Sequence, residues 1–366
     1  MTSLGQTVAA IEARRPKPET RTRAAGLAIV RGFGTNPGNL TMKIHVPATS
    51  RPEAGLVVVM HGCTQTAEDF AVPVGWIELA DRFGFVVVAP EQSRANNSNL
   101  CFNWYVPGDI RRGAGEAESI AQMVRYALDL HDLDPNRVFV TGLSAGGAMT
   151  SVMLATYPEM FAGGAIVAGL PYGVANNLGE AFAAMAMTAP PTSAVLADRV
   201  LSKTDHRGPW PKVSVWHGQS DSLVRPAAGE AVADQWRQLH GAQSRPRKAR
   251  TPGGRDFAVW MSADGDPVVE LHRIHGLGHG AAVKAKGSDG CGAASSYTPE
   301  VGVSSSFEIA LGWGLADGLG TTPAPASNDG VGGSRPADIV LPTPALSANG
   351  IEDVINRALR AAGLLS

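Results

Sequence analysis

The chain has 366 residues, with 31 Lys and Arg against 33 Asp and Glu, a formal net charge of -2. That balance lacks the basic excess which carries phosphate-backbone affinity, so no nucleic-acid partner is expected. A hydrophobic share of 44% suffices for a sizeable core, and three cysteines are too few for a disulfide-dense scaffold and leave at least one unpaired within the chain.

Residues 1–30 read as an N-terminal extension. Its apolar residues come first and Glu12, Arg14 and Arg15 follow, the reverse of the order in a secretory signal. No stretch approaches the ~18 uninterrupted apolar residues of a membrane helix, so no integral membrane segment is expected. The alternation of Met42, Ile44 and Val46 with polar residues predicts a half-exposed strand over Thr41–Val46. Leu56–Met60, Phe85–Ala89, Val138–Thr141, Ala165–Ala168 and Val213–Trp216 are short apolar runs, the pattern of strands covered on both faces. Helices are predicted over Trp76–Arg82, Gly115–Leu130, Ala145–Thr156 and Ala227–Leu239. The second places Ile120, Met123, Val124, Ala127 and Leu128 on one face. Two further strands, Phe257–Met261 and Val268–Ile274, and a helix over Ser304–Leu315 complete a domain spanning 31–317. Strands alternating with helices predict an α/β fold, a mostly parallel sheet with helices on both faces. Residues 318–349 have the Gly, Pro, Ser and Ala composition of a linker. Residues 350–366 read as a short amphipathic helix with Ile351, Val354, Ile355, Leu359 and Ala362 on one face. That helix is expected to dock on its own domain, with a partner or a polymer surface as the alternatives.

The strongest chemical signal is Gly142-Leu143-Ser144-Ala145-Gly146, a G-x-S-x-G set between an apolar strand and a small-residue helix. A sharp strand-to-helix turn lifts such a serine above the sheet edge, where it can act as a nucleophile once a base removes its proton. In this architecture the acid and the histidine follow in that order. Asp221 lies just past the strand Val213–Trp216, whereas Asp205, Asp234, Asp264 and Asp266 fall before a strand, within a helix or in a turn. Of the four later histidines, His240 ends a helix and His272 and His275 lie in or at the end of a strand. His279 sits in a Gly-rich loop and is the favoured base, with His275 as the alternative. A turn at His61-Gly62-Cys63 follows an early strand, so backbone donors for an oxyanion are expected from Cys63, or Thr64, and from Ala145. His61 precedes Ser144 and is read as orienting the turn. No paired Cys-x-x-Cys or His-x-x-x-His spacing occurs around His61 and Cys63, so no metal site is expected.

His61-Gly-Cys-Thr-Gln-Thr-Ala67, Pro90-Glu-Gln-Ser-Arg-Ala-Asn-Asn97, Cys101-Phe-Asn-Trp104, Arg111-Arg-Gly-Ala-Gly-Glu116, Gly142-Leu-Ser-Ala-Gly-Gly147, Trp216-His-Gly218, Gly276-Leu-Gly-His279 and Cys291-Gly-Ala-Ala294 together resemble the poly(3-hydroxybutyrate) depolymerase family of esterases. The likeness spans roughly residues 35–317. It implies an α/β-hydrolase fold, a triad of Ser144, Asp221 and His279, and carboxylic-ester hydrolysis through an acyl-enzyme without a cofactor. The implied substrates are poly- or oligo-(3-hydroxybutyrate)-type esters, with feruloyl or acetyl-xylan esters as the alternative. A non-catalytic polymer-binding protein on the same scaffold is the alternative of another class, and the complete Ser, Asp and His set counts against it. Neither the signal peptide nor the polymer-binding module of secreted relatives is evident. Cys63 and Cys101 both stand in family-like motifs, which makes them a candidate disulfide, with two reduced buried cysteines as the alternative; Cys291 would then be free. A disulfide favours an extracellular or periplasmic protein, while the missing signal leaves the cytoplasm as the alternative. Phe102, Trp104 and Tyr105 are candidates for flat apolar walls of an ester subsite, with ordinary packing as the competing role. Gln65 and Trp216 are two further candidate substrate-binding residues.

Overall fold

A computed structural model of the chain describes residues 26–243, 245–251 and 255–316. The expected linker at 318–349, the expected helix at 350–366 and most of the expected N-terminal extension lie outside these. The last residues of that extension, Ala28–Val30, form strand β1. The other strands are β2 (Thr41–His45), β3 (Leu56–Met60), β4 (Val86–Glu91), β5 (Val138–Leu143), β6 (Gly163–Val167), β7 (Lys212–Gly218), β8 (Arg247–Thr251), β9 (Arg255–Met261) and β10 (Pro267–Ile274). The helices are α1 (Ala67–Ala71), α2 (Trp76–Phe83), α3 (Gly115–His131), α4 (Ala145–Thr156), α5 (Leu178–Ala186), α6 (Ser193–Leu201), α7 (Pro226–Leu239) and α8 (Ser305–Gly312).

The ten strands form one sheet in the order β1-β2-β4-β3-β5-β6-β7-β10-β9-β8. The six from β4 to β10 are mutually parallel, and antiparallel strands flank them on both sides. The fully buried run Leu56-Val-Val-Val-Met60 is what such a central strand requires, because both of its faces are covered. Its side chains alternate between two cores. Leu56, Val58 and Met60 pack with Ile120, Met123 and Val124 of α3, Met149 and Val152 of α4, and Val232 and Trp236 of α7. Val57 and Val59 pack with Trp76 and Leu79 of α2 and Phe307 and Ile309 of α8.

Strand order reverses beside β3, with β4 on one side and β5 on the other. The carboxyl ends of β3 and β5 therefore flank a switch point, where a crevice opens because the following connections run to opposite sides. Among the described residues no helix is long and apolar enough to cross a membrane.

Candidate active site

Ser144 occupies the turn between β5 and α4 with φ 58° and ψ -116°. A side-chain-bearing residue is rarely found in this region and is held there by its surroundings. Two glycines make the turn possible. A Cβ on Gly142 would lie 2.4 Å from the Gly146 carbonyl oxygen, and one on Gly146 would lie 2.3 Å from that of Met60. The Ser144 amide donates to Val167 O (2.9 Å), tying the turn to β6. The serine side chain faces a cavity of about 270 Å³.

Asp221 follows β7 and is buried. Its Oδ1 accepts the amides of Leu223 (3.0 Å) and Val224 (2.9 Å), and its Oδ2 lies 2.8 Å from His279 Nδ1 and 3.4 Å from His217 Nε2. Burial alone would raise its pKa; the hydrogen bonds from His217 and His279 outweigh it and hold the carboxyl well below the usual carboxylate range. His279 lies on the loop after β10 and lines the same cavity as Ser144. Asp221 engages its Nδ1, so Nε2 is the nitrogen left to face a reacting group. The other later histidines are occupied elsewhere. His275 meets Asp256 (3.0 Å), His272 meets Glu270 (3.1 Å) and His240 meets the Pro211 carbonyl (3.0 Å).

The turn after β3 stands opposite Ser144. Gly62 N donates to Gln65 Oε1 (2.8 Å) and Thr64 N donates to Asn99 O (2.7 Å). Between them, the Cys63 amide meets no protein acceptor among the described residues, whereas that of Thr64 is already taken. The Ala145 amide opens α4, where first-turn N–H groups have no partner within the helix. Cys63 and Cys101 form a disulfide with a Cα–Cα distance of 4.2 Å, and Cys291 is free and buried. His61 is fully buried. Its Nε2 accepts the Gln92 amide (3.1 Å), so Nδ1 carries the hydrogen and donates to Gly62 O (2.7 Å). Burial pushes its pKa down and keeps the ring neutral.

Trp104 and Tyr105 line the cavity, edge to face with centroids 5.3 Å apart. Phe102 does not; it is fully buried against the His61 ring (4.9 Å). Two other candidates for substrate contact are corrected. Gln65 is buried and spends its carbonyl on the Gly62 amide, a turn-forming role. Trp216 is buried in the core beneath α2 and α8 and stacks on His272 with centroids 3.7 Å apart, so it does not reach the cavity. Sequence reasoning missed the opposite wall, formed by Leu178, Ala181, Phe182 and Met185 of α5 with Leu170 and Leu223. Short Gly- and Ala-rich helices carry little periodic signal, although the apolar Leu178, Phe182 and Met185 at spacings of four and three are legible afterwards. Asn97, Ser98, Asn99 and Tyr297 add a polar rim, where Thr64 Oγ1 and Tyr297 OH are 2.8 Å apart. No group of three His, Cys, Asp or Glu side chains suited to a metal ion occurs among the described residues.

A family profile described as esterase PHB depolymerase matches residues 40–256. The chain belongs to that family. It is 46% identical over 291 residues to a poly(3-hydroxyalkanoate) depolymerase C of Paucimonas lemoignei, covering 79% of this chain and 70% of the relative. It is 32% identical to an acetylxylan esterase of Coprinopsis cinerea, covering 72% and 71%. The solved structure of an acetyl xylan esterase from Aspergillus awamori aligns with a TM-score of 0.63 and 27% identity, over 69% of this chain and 94% of that one. The fold is the α/β-hydrolase fold, and as a member of the esterase PHB depolymerase family the protein is a carboxylic-ester hydrolase of the serine type.

Proposed function

We propose that the protein hydrolyses poly- or oligo-(3-hydroxyalkanoate) esters through an acyl-enzyme on Ser144. The observation that carries this reading is the Asp221–His279 hydrogen bond (2.8 Å) on the cavity that also holds Ser144. His279 Nε2 takes the Ser144 hydroxyl proton as Oγ attacks the ester carbonyl carbon. Asp221 fixes the Nδ1–H tautomer and stabilises the imidazolium that forms. The Cys63 and Ala145 amides receive the oxyanion. Collapse of the tetrahedral intermediate breaks the ester C–O bond, and His279 returns the proton to the leaving alkoxide. Water activated by the same imidazole then releases the acid and restores the serine.

The largely apolar walls favour an aliphatic polyester over a polysaccharide ester, because a sugar would leave hydroxyls facing Phe182, Leu178 and Leu223 without partners. The 46% identical depolymerase supports the same choice. The test has two arms. Ser144→Ala should lower turnover of a short chromogenic ester by at least about a thousandfold; retained turnover would show that the nucleophile is elsewhere. Across 3-hydroxybutyrate oligomers, feruloyl esters and acetylated xylan, kcat/KM should be highest for the oligomers. A higher value on acetylated xylan would replace this substrate reading with that of the acetylxylan esterases.

A further inference from the structure

Asp221 has two histidine neighbours, and the proposed mechanism uses one of them. The other, His217, stands at the end of β7 with its side chain buried. Its Nε2 lies 2.8 Å from Val224 O and 3.4 Å from Asp221 Oδ2. A carbonyl and a carboxylate only accept, so Nε2 carries the hydrogen; it donates it to Val224 O and holds it beside Asp221 Oδ2 as a longer electrostatic contact. The ring's Nδ1 is then an acceptor. It is buried without a hydrogen-bond partner among the described residues, and a Cβ added to Gly229 of α7 would lie 2.7 Å from it. An orphaned buried acceptor is a standing cost. A leucine or phenylalanine would fill the same volume without it. What the histidine adds is the Nε2–H.

We propose that His217 is a positioning residue for the acid of the triad, an inference that rests on the Ser144, Asp221 and His279 reading. Its Nε2–H donates to the Val224 carbonyl and sets its positive end beside Asp221 Oδ2, with Nε2 3.4 Å from that oxygen. The carboxylate is thereby locked to the turn whose Leu223 and Val224 amides hold Oδ1, and it presents a fixed face to His279. The nearby His217 N–H also offsets part of the Oδ2 charge that His279 faces. Among the described residues, His217 from β7 and His279 from the loop after β10 are the titratable groups that bear on Asp221. Helix α7 presents Gly229 to the ring, and its Glu230 is paired with Arg273.

The test contrasts two amides. Gln at 217 can place its Nε2 where the imidazole Nε2 stands, whereas Asn reaches only the level of Nδ1. His217→Asn should lower kcat/KM by roughly tenfold or more. It should also move the acid limb of the kcat/KM profile to higher pH, because the Asp221 carboxylate then has no second N–H offsetting its charge. His217→Gln should restore most of both. Ser144→Ala is assayed in parallel. If Ser144→Ala stays active, the triad reading fails. If it is inactive while the acid limb of His217→Asn coincides with that of the unaltered enzyme, this inference alone is overturned, and a fall in kcat with an unmoved limb overturns it equally. Should the Asn variant not fold, the unaltered protein still decides. Long-range nitrogen–proton NMR should show His217 as the Nε2–H tautomer, and an Nδ1–H tautomer with bare Nε2 would overturn the proposal.

Discussion

Gly146 lies directly against the carbonyl oxygen of Met60, close enough that an added Cβ would approach it to 2.3 Å and the His61 carbonyl to 2.6 Å. Both oxygens belong to the end of a central buried strand and the turn that follows it, so neither can swing aside as a flexible side chain would. Gly146→Ala should therefore destabilise the protein by about 1–3 kcal/mol. It should also cut activity by more than that loss explains, since the displaced backbone carries both Ser144 and the Cys63 turn. Denaturant unfolding alongside kcat/KM on a short ester, at a temperature where the variant is folded, checks both parts. A variant of unaltered stability would mean that the contact is looser than described.

The disulfide gives a count of thiols. Cys291 is buried, and burial pushes its thiol up to about 11, where it is neither ionised nor accessible. Of the three cysteines, the native protein should expose none to a thiol reagent, the denatured protein one, and the denatured and reduced protein all three. Replacing Cys63 and Cys101 with serine should lower stability by about 2–4 kcal/mol. It should also reduce kcat, because the bond joins the turn that offers the Cys63 amide to the wall bearing Trp104 and Tyr105. Unchanged kcat in the double variant would confine the bond's role to stability.

Glu116, at the start of α3, is buried with Gln92 and the Asn103 amide as partners, and burial raises its pKa from 4.5 to about 8. The sign follows from linkage. A folded-state pKa above the unfolded one gives a contribution that is full below about 4.5 and is lost as the pH rises to about 8, because only the unfolded chain ionises freely in that window. Unfolding free energy should decline across this range by a few kcal/mol on account of Glu116, since each tenfold difference in proton affinity between the folded and unfolded chain is worth about 1.4 kcal/mol. Glu116→Gln should flatten that slope. Titration of stability from about pH 5 to 9 is the measurement, and equal slopes in the two proteins would remove Glu116 as the source.

Phe182 stands on the apolar wall without being part of either core. Phe182→Ala should leave Tm nearly unchanged. It should raise KM for 3-hydroxybutyrate oligomers about tenfold, while acetate esters too small to reach α5 respond less. Equal effects on small and extended esters would mean that this wall does not contact the acyl or alcohol chain.

The central strands were legible in the sequence because a strand buried on both faces must be largely apolar, as Leu56–Met60 is. Strands β1 and β8 were not. β8 is the sheet's edge and reads Arg-Lys-Ala-Arg-Thr, since an edge strand tolerates charge that a central one cannot. The position of Ser144 was readable because the glycines around it answer a local steric demand. Gln65 and Trp216 were misplaced for the opposite reason. Both neighbour site motifs along the chain, but which way a side chain points depends on the pleat of the strand or the shape of the turn, and adjacency does not reveal it. The second histidine on Asp221 left no local signal either, because its partner lies one turn away in a loop whose course the sequence does not specify.

The connection from β6 to β7 holds α5 and α6 and supplies most of one wall of the cavity, yet the three groups of the proposed triad lie outside it, after β5, β7 and β10. In the proposed reading, most of the wall that meets the acyl or alcohol chain and the groups that move the proton thus lie on different stretches of chain. Substitutions at Leu178, Ala181, Phe182 and Met185 of α5 should reshape the cavity while leaving the positions of Ser144, Asp221 and His279 in place. The chain's relatives are named for polyester and for polysaccharide esters, and the α5 wall is the natural place to graft a new specificity.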